Sequence, residues 1–371
     1  GNRDSARVER AGGDVVSWPL VKIGDVCTLM TGGTPKTNVN EFYENGTIPW
    51  IVSGDIHQGE IFDCDKRITR YAVENSNARY LPKDSVLIAL NGQGKTRGTV
   101  ALLRIEEATC NQSIVSINPN DKKELFSDYL FYYLKSQYQS IRNITGDKDR
   151  AGLNMPLIRG INIPLPPLAE QKRIAAILDK ADNLRRKRQQ AIKLADEFLR
   201  AVFLDMFGDP VTNPKGFPVS KLGSLCEDLF LGLTSKVDYV DGEDGFPLVR
   251  AKDINTGELK FEDMKYISEA QHRKLTKNHL TKRGDLLVSK SGTLGTCAIV
   301  RTDREFSTYE SIFTVRPISE KMNLHYLIHL LQNKGFKEKL IGNKVGGTVA
   351  HLNLKMFRDF EVGVPPIDLQ K

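Results

Sequence analysis

Three groups of residues have types and spacings that could support chemistry. Residues 89–96 form a glycine-rich turn that carries Lys95 and matches a relaxed phosphate-loop pattern. Asp253, Glu258 and Lys260 could hold a metal ion and activate water, as in a metal-dependent nuclease. The histidines at 325 and 329 are spaced as two metal ligands on one helix face would be. What each group can do depends on the element that carries it.

An internal repeat governs how these groups are interpreted. The segment Trp18-Pro-Leu-Val-Lys-Ile-Gly matches Phe217-Pro-Val-Ser-Lys-Leu-Gly about 199 residues later. Further blocks match in the same order: Gln112-Ser-Ile-Val with Glu310-Ser-Ile-Phe, Leu153-Asn with Leu352-Asn, and Pro166-Pro-Leu with Pro365-Pro-Ile. Solenoid units are only about 20–50 residues long. The repeat therefore predicts a tandem duplication of a domain of about 150 residues, an ordinary domain size.

The surrounding sequence argues against a catalytic centre in each of the three groups. A phosphate loop needs a helix N-terminus behind it, whereas residues 97–103 predict a strand. The first-copy segment that corresponds to Glu258 is Glu60-Ile-Phe62, which has no lysine. No glutamate accompanies the two histidines as it does in the metalloprotease motif. We therefore predict no catalytic residue and no metal site, with the nuclease set kept as an alternative.

Composition narrows the class of protein. The chain has 371 residues, of which 40% are hydrophobic and 27% charged, so most of it is predicted to fold. Its five cysteines form no CxxC pair, which argues against a disulfide framework and favours the cytoplasm. Residues 1–17 lack the apolar core of a secretory signal and are predicted to be a leader or tag remnant. A formal net charge of +7 permits a nucleic-acid partner without requiring one.

The segment between the copies predicts a long helix with an apolar seam. Residues 168–207 contain no glycine or proline, and helix formers dominate them. Apolar or small residues recur at alternating spacings of three and four, interrupted once by Arg188, which is a coiled-coil pattern. The residues of this helix seam are Ile174, Ile177, Ala181, Leu184, Ala191, Ala195, Phe198 and Val202. After the second Pro-Pro the sequence ends at Lys371, where a second helix is expected to begin, so we expect that helix to be truncated or unrecorded.

This organisation resembles the DNA-specificity (S) subunit of type I restriction-modification enzymes. The residues that carry the resemblance are the Trp18-Pro opening, the block from Ile48-Pro-Trp to Gly54-Asp-Ile, and the Pro-Pro-Leu-Ala-Glu-Gln start of the long helix. The resemblance implies an α+β fold: two homologous α+β target-recognition domains in tandem, separated by a long coiled-coil-type helical spacer. The implied boundaries are residues 18–167 and 209–366 for the recognition domains, 168–208 for the spacer, and 367–371 for the start of a distal spacer.

The resemblance also implies partners. Each recognition domain would read one half of a split double-stranded DNA target, and the spacer would set the distance between the halves. Methylation (M) subunits, expected to be two, and restriction (R) subunits would carry the chemistry. S-adenosylmethionine, ATP and Mg²⁺ would bind in those subunits, and this chain would hold no cofactor. A scaffold that binds proteins and does not read DNA is a further alternative, and no membrane association is expected.

Neither copy is uniformly basic, so the predicted DNA contacts come from local loops with lysine, arginine, threonine or glycine. The alternative for each loop is a solvated basic turn or a segment under no constraint. The candidates are Lys36, Lys66, Arg67, Lys95, Arg97, Lys148 and Arg150 in the first copy, and Lys236, Lys252, Lys290, Lys344, Thr348 and His351 in the second.

Overall fold

Each copy of the repeat builds its own unit of mixed helices and sheets, which confirms the α+β prediction. The computed structural model describes residues 5–9, 15–92, 95–144, 152–241, 244–255, 257–290, 295–341 and 353–371. Its two units comprise residues 1–189 and residues 190–371.

The described residues of the first unit form three sheets. Their strand orders are β3-β10-β7-β8-β5, β6-β4-β9 and β1-β2-β11. The strands are β1 (Ser5–Glu9), β2 (Val15–Lys22), β3 (Cys27–Thr31), β4 (Ile48–Ile51), β5 (Glu60–Ile61), β6 (Arg67–Ile68), β7 (Val86–Ala89), β8 (Val100–Leu103), β9 (Thr109–Cys110), β10 (Ile114–Pro119) and β11 (Asn162–Pro164). Residues 5–9, predicted as part of a leader, thus form a strand that pairs antiparallel with β2.

The second unit repeats most of this strand order; within the described residues it has no counterpart of β1 or β5 and adds β14. Its sheets are β13-β20-β17-β18, β14-β16-β15-β19 and β12-β21. The strands are β12 (Val219–Lys221), β13 (Cys226–Leu231), β14 (Tyr239–Val240), β15 (Phe246–Val249), β16 (Lys265–Ile267), β17 (Leu286–Ser289), β18 (Cys297–Ile299), β19 (Ser307–Thr308), β20 (Ile312–Pro317) and β21 (Glu361–Gly363). Even the parallel pair of β4 with β9 recurs, as β15 with β19. The duplication seen in the sequence is therefore a duplication of topology.

Helices complete both units. Residues 127–142 and 324–341 each form two consecutive helices, because Gln137 and Asn333 leave helical geometry. The Asn333 side chain then accepts a hydrogen bond from the Phe336 amide and caps the following helix. The helices are α1 (Ile23–Val26), α2 (Arg70–Glu74), α3 (Ser127–Ser136), α4 (Tyr138–Arg142), α5 (Met155–Arg159), α6 (Leu168–Phe207), α7 (Glu269–Thr276), α8 (Leu324–Gln332), α9 (Lys334–Ile341), α10 (Leu354–Asp359) and α11 (Ile367–Gln370).

The central strands are buried on both faces. Successive residues of a strand point to opposite sides. Val86 and Ile88 of β7 accordingly join a core cluster that Leu130 of α3 closes. Leu87 packs on the other side in a second cluster with Ile61. This double cover explains why β7 is a continuous apolar run and not an alternating one.

The repeated Leu-Asn block caps a helix in each copy. The Asn154 side chain accepts a hydrogen bond from the Leu157 amide at the start of α5, at 3.0 Å. Asn353 does the same for the Met356 amide at the start of α10, at 2.8 Å. Asparagine is among the preferred residues at this position because its side chain satisfies an amide that the helix leaves unpaired.

A buried glutamine ties the start of α6 to the first unit. Gln171 is fully buried, and its amide nitrogen donates to the carbonyl oxygens of Glu124 and Pro166, each at 2.8 Å. Its side-chain oxygen accepts from the Phe126 amide at 2.9 Å. These three bonds explain why the Pro-Pro-Leu-Ala-Glu-Gln block contains glutamine at this position.

The second unit contains the same arrangement. The Gln370 side-chain amide donates to the carbonyl oxygens of Lys321 and Pro365, at 3.1 and 2.7 Å. Its side-chain oxygen accepts from the Asn323 amide at 2.8 Å. We call Gln171 and Gln370, each with its three backbone partners, the glutamine clamps.

One cross-strand position differs in chemistry between the copies. In the first copy Ser85, adjoining β7, donates through its hydroxyl to the Asn118 side chain of β10 at 2.5 Å. In the second copy Asp285, adjoining β17, forms a bidentate ion pair with Arg316 of β20, at 2.7 and 2.8 Å. Ser85 and Asp285 are both buried. A neutral pair in one copy is thus an ionic pair in the other.

Candidate nucleic-acid interface

The turn at residues 111–113, between β9 and β10, is where the candidate loops of the first copy meet. The first of these is the loop of residues 31–38. The Gly33 amide donates to the Cys110 carbonyl at 2.9 Å, and the Gly32 amide to the Ile114 carbonyl at 3.3 Å. A Cβ on Gly32 would lie 2.1 Å from the Cys110 carbonyl oxygen. Only glycine therefore permits this close approach.

A second loop reaches the same turn, and the segment at Leu153 bonds to that second loop. The Leu90 amide, at the start of the glycine-rich loop, donates to the Ser113 carbonyl at 2.8 Å. The Leu90 carbonyl in turn accepts from the Leu153 amide at 3.1 Å, which brings in the segment that follows residues 145–151. The fold thus brings together the 31–38 loop, the start of the glycine-rich loop and Leu153, which lie far apart in the sequence. We call the turn at residues 111–113, and its counterpart at 309–311, the hub turns.

The second copy builds its hub turn with equivalent bonds. The Gly232 amide donates to the Ile312 carbonyl at 3.3 Å, as Gly32 does to Ile114. The Lys290 amide donates to the Ser311 carbonyl at 2.8 Å, as Leu90 does to Ser113. The Glu310 amide donates to the Leu233 carbonyl at 2.9 Å. The convergence of the first two loops on the turn therefore exists in both units.

A tryptophan connects two of the predicted cationic positions of the first copy. The Trp50 indole N–H donates to the Gly33 carbonyl at 3.1 Å, and the Lys66 ammonium lies 5.8 Å from the centroid of the ring. Lys36 is exposed on the loop that contains Gly33. Trp50 thus contacts both the loop that carries Lys36 and the side chain of Lys66. Exposed lysines suit contacts with phosphates.

Arginine behaves differently from lysine at the predicted positions. The Arg67 guanidinium is half-buried and bonds to the Cys64 carbonyl and the Asp63 carboxylate. Arg97 is only 9% exposed. Burial therefore argues against the predicted DNA contact by Arg97, whose side chain belongs to the fold. Lys95 remains exposed beside it, and its carbonyl accepts from the Tyr138 hydroxyl at 2.8 Å.

The candidate lysines of the second copy that the structure describes differ in their solvent exposure. Lys236 is exposed, and Gln271 of α7 holds its loop by donating to the Lys236 carbonyl at 2.8 Å. Lys252 is exposed with its ammonium 3.7 Å from the Asp253 carboxylate, and Lys290 is half-buried. The remaining candidates lie outside the described residues: Lys148, Arg150, Lys344, Thr348 and His351.

Asp253 has a structural role that explains its position. Its carboxylate accepts from the Arg250 amide at 2.8 Å, at the start of the 3-10 helix Ala251–Ile254. Asp55 accepts in the same way from the Val52 amide at 2.8 Å in the first copy. Glu258 is exposed, whereas Asp253 is buried. These contacts do not support the alternative of a nuclease.

The paired histidines belong to a packed helix. His329 of α8 lies with its ring centroid 6.0 Å from that of Phe203, and burial, with the nearby His325, lowers the pKa of His329. Across the residues that the structure describes, no three histidine, cysteine or carboxylate side chains are grouped to hold a metal ion.

Ion pairs fasten α6 to the first unit. Asp182 of α6 contacts the Lys135 ammonium at 3.3 Å, and Arg186 contacts Glu60 at 3.1 Å. Burial acts to raise the pKa of Asp182, but the hydrogen bond from Arg185 and the charge of Lys135 outweigh it and hold this pKa below its usual value. Asp182 is therefore charged at neutral pH and attracts these cations.

The helix seam is a different face of α6 and is largely exposed. Near its start, the helix buries Ala175 in the first unit. In its last turns, which belong to the second unit, it buries Phe203, whose ring stacks on that of Tyr326. By contrast, the seam residues Ile177, Leu184 and Phe198 are 53%, 52% and 67% exposed. Ala181, Ala191 and Ala195 are also exposed, and Ile174 and Val202 are half-buried.

Comparison with known families identifies the duplicated unit. A family model described as the type I restriction modification DNA specificity domain matches residues 16–194 and 214–371. The chain belongs to this family. Its two matched ranges correspond to the two copies of the repeat, so both hub turns lie within specificity domains.

Specificity subunits from an archaeon are among the relatives. The chain is 26% identical over 373 residues to the type I restriction enzyme MjaIX specificity subunit of Methanocaldococcus jannaschii, covering 94% of this chain and 83% of that protein. It is 24% identical to the MjaVIII specificity subunit of the same organism, covering 95% and 84%.

A solved structure shares the fold of this specificity-domain protein. The crystal structure of a type I restriction-modification S subunit from M. genitalium matches with a TM-score of 0.59 at 16% identity, covering 98% of this chain and 88% of that one. Among the described residues, no helix is both long and apolar enough to cross a bilayer.

Proposed function

We propose that this chain is the sequence-specific DNA-recognition subunit of a type I restriction-modification complex. The observation that carries the proposal is the pair of hub turns. One fold gathers equivalent loops in each copy, while the side chains on those loops differ. A framework that stays constant beneath different loop residues suits two modules that bind different base sequences.

Each copy would read one half of a split double-stranded DNA target. Residues 18–167 and 209–366 would be the recognition domains, and residues 168–208 the spacer. Lys36, Lys66 and Lys95 of the first copy, with Lys236 and Lys252 of the second, would contact phosphates. Such contacts set affinity and register, whereas side chains that reach base edges set specificity.

The chain would direct chemistry that its partners perform. Two methylation subunits and the restriction subunits would bind S-adenosylmethionine, ATP and Mg²⁺, and this chain would supply no catalytic residue or cofactor. The complex would act in the cytoplasm, where chromosomal and incoming DNA are accessible.

Sequencing of methylated adenines tests this proposal. Cells that carry this chain and its methylation partner should show adenine methylation at one bipartite sequence, and cells without this chain should show none at that sequence. Methylation without a sequence pattern, or a purified complex that protects no specific DNA site, would favour the alternative of a protein-binding scaffold.

A further inference from the structure

We infer that Gln112 and Glu310 occupy one specificity-determining position that is duplicated in the two copies and contacts a base edge in each half of the target. The inference rests on the proposed DNA-recognition function and identifies the side chains that carry it. Neither residue was a sequence-based candidate, because neither is basic and neither lies in a glycine-rich loop.

Backbone bonding establishes that the two positions are equivalent. Gln112 lies between β9, which pairs parallel with β4, and β10. Glu310 lies between β19, which pairs parallel with β15, and β20. The serine that follows each residue accepts, through its carbonyl, the amide of the glycine-rich loop at 2.8 Å. The two side chains therefore project from the same point of the same turn.

Each hub turn bonds to two candidate loops, so a side chain on it can act together with both of them. Gln112 is exposed, and the Thr34 hydroxyl from the 31–38 loop donates to its side-chain oxygen. Glu310 is half-buried, and its charge raises the pKa of the neighbouring Tyr309. Cations on adjoining loops, Lys36 in the first copy and Lys290 in the second, would hold the phosphate backbone while the central residue meets a base.

The two side chains differ in what they can recognise. The Gln112 amide both donates and accepts, so it matches the N6 amino group and N7 of adenine. The Glu310 carboxylate only accepts, so it matches the N4 amino group of cytosine. It would be repelled by guanine, whose edge presents two acceptors in the major groove. One fold position thus yields different specificities from side chains of nearly equal size.

Reciprocal exchange of the two residues tests the inference. Gln112→Glu and Glu310→Gln are made separately in the full chain, each with its methylation partner, and methylated adenines are sequenced. Each variant should change the preferred base at one position in one half-site, and the two variants should act on opposite halves. Matched controls for Glu310→Gln are Glu107→Gln and Glu262→Gln, which make the same chemical change at exposed residues away from the hub turns. Both should leave the target unchanged.

Each outcome separates this inference from the proposed function. If the unaltered chain directs no sequence-specific methylation, the proposed function fails. If the unaltered chain directs sequence-specific methylation and both exchange variants still methylate the original target with unchanged base preference, the inference alone fails. A change in both half-sites from a single variant would also overturn it.

A variant that loses methylation in cells is resolved with the purified complex. DNA binding is measured on the original target and on every single-base substitution of it. One lost base contact should reduce binding about 5- to 150-fold, corresponding to about 1–3 kcal/mol, and discrimination should change at one position. Equal weakening on all targets would show that the residue is structural and would overturn the inference.

Discussion

Replacing Gln171 by leucine removes the first glutamine clamp while nearly keeping the side-chain volume. Three backbone groups lose the partner that the buried Gln171 side chain supplies: the Glu124 and Pro166 carbonyls and the Phe126 amide. A hydrogen bond contributes about 1 kcal/mol net, so the first unit should lose about 3 kcal/mol of unfolding free energy. With a urea dependence of about 2 kcal/mol per molar, the midpoint should fall by about 1.5 M.

Tryptophan fluorescence measures this loss in the first unit alone. The two tryptophans of the chain are Trp18 and Trp50, both in residues 1–189, and Trp50 is buried. The fluorescence transition should therefore shift for Gln171→Leu and stay in place for Gln370→Leu, which breaks the second clamp. Gln189→Leu changes an exposed glutamine of the same helix and should shift the midpoint little. A Gln171→Leu midpoint equal to that of Gln189→Leu would refute the assignment of stability to the clamp.

Three further predictions concern cysteines, an acid group and the helix seam. Burial raises the pKa of Cys27, Cys110 and Cys297 to about 12, so a thiol reagent at pH 8 should label these three cysteines slowly in the native chain and rapidly in the urea-unfolded chain. The lowered pKa of Asp182 gives stability that is present above about pH 4 and is lost as the pH falls below that value. Asp182→Asn should therefore reduce stability at pH 7 and flatten the dependence of stability on acid pH. Urea unfolding at several pH values measures both effects. Because Leu184 and Phe198 are exposed, replacing both with serine should leave the unfolding midpoint nearly unchanged. The double variant should also reduce any self-association of the chain that light scattering detects. An unfolded double variant would contradict the exposure of these two side chains.

Local patterns in the sequence were sufficient to predict the elements that form the framework. The uninterrupted run of helix formers predicted α6 nearly to the residue, and the strand predicted at residues 97–103 is β8. Strands of two residues, such as β5 and β9, carry too little periodicity to be recognised. Pairing across the sheet forms them, and that pairing depends on distant parts of the chain.

The candidate site was predicted only in part, because it depends on long-range contacts. Glycine-rich composition located the loops, but the convergence on the hub turn arises where Gly32 meets Ile114 and where Leu90 meets Ser113. Sequence composition also could not distinguish the exposed Lys95 from the buried Arg97 two residues later. The matching blocks that begin with Gln112 and Glu310 did contain a signal, because one differing residue precedes the shared Ser-Ile.

The cross-strand pairs of the two copies limit genetic exchange between the halves of the gene. Consider a crossover between the repeats that falls after the codon for residue 85 or 285 and before the codon for residue 118 or 316. Such a crossover would recombine Asp285 with Asn118, or Ser85 with Arg316. The first hybrid leaves a carboxylate buried without its arginine, and an unpaired buried charge costs about 3–5 kcal/mol. Recombinants that keep both members of a pair together avoid this cost, so selection should favour exchange of whole segments and disfavour crossovers between β7 and β10.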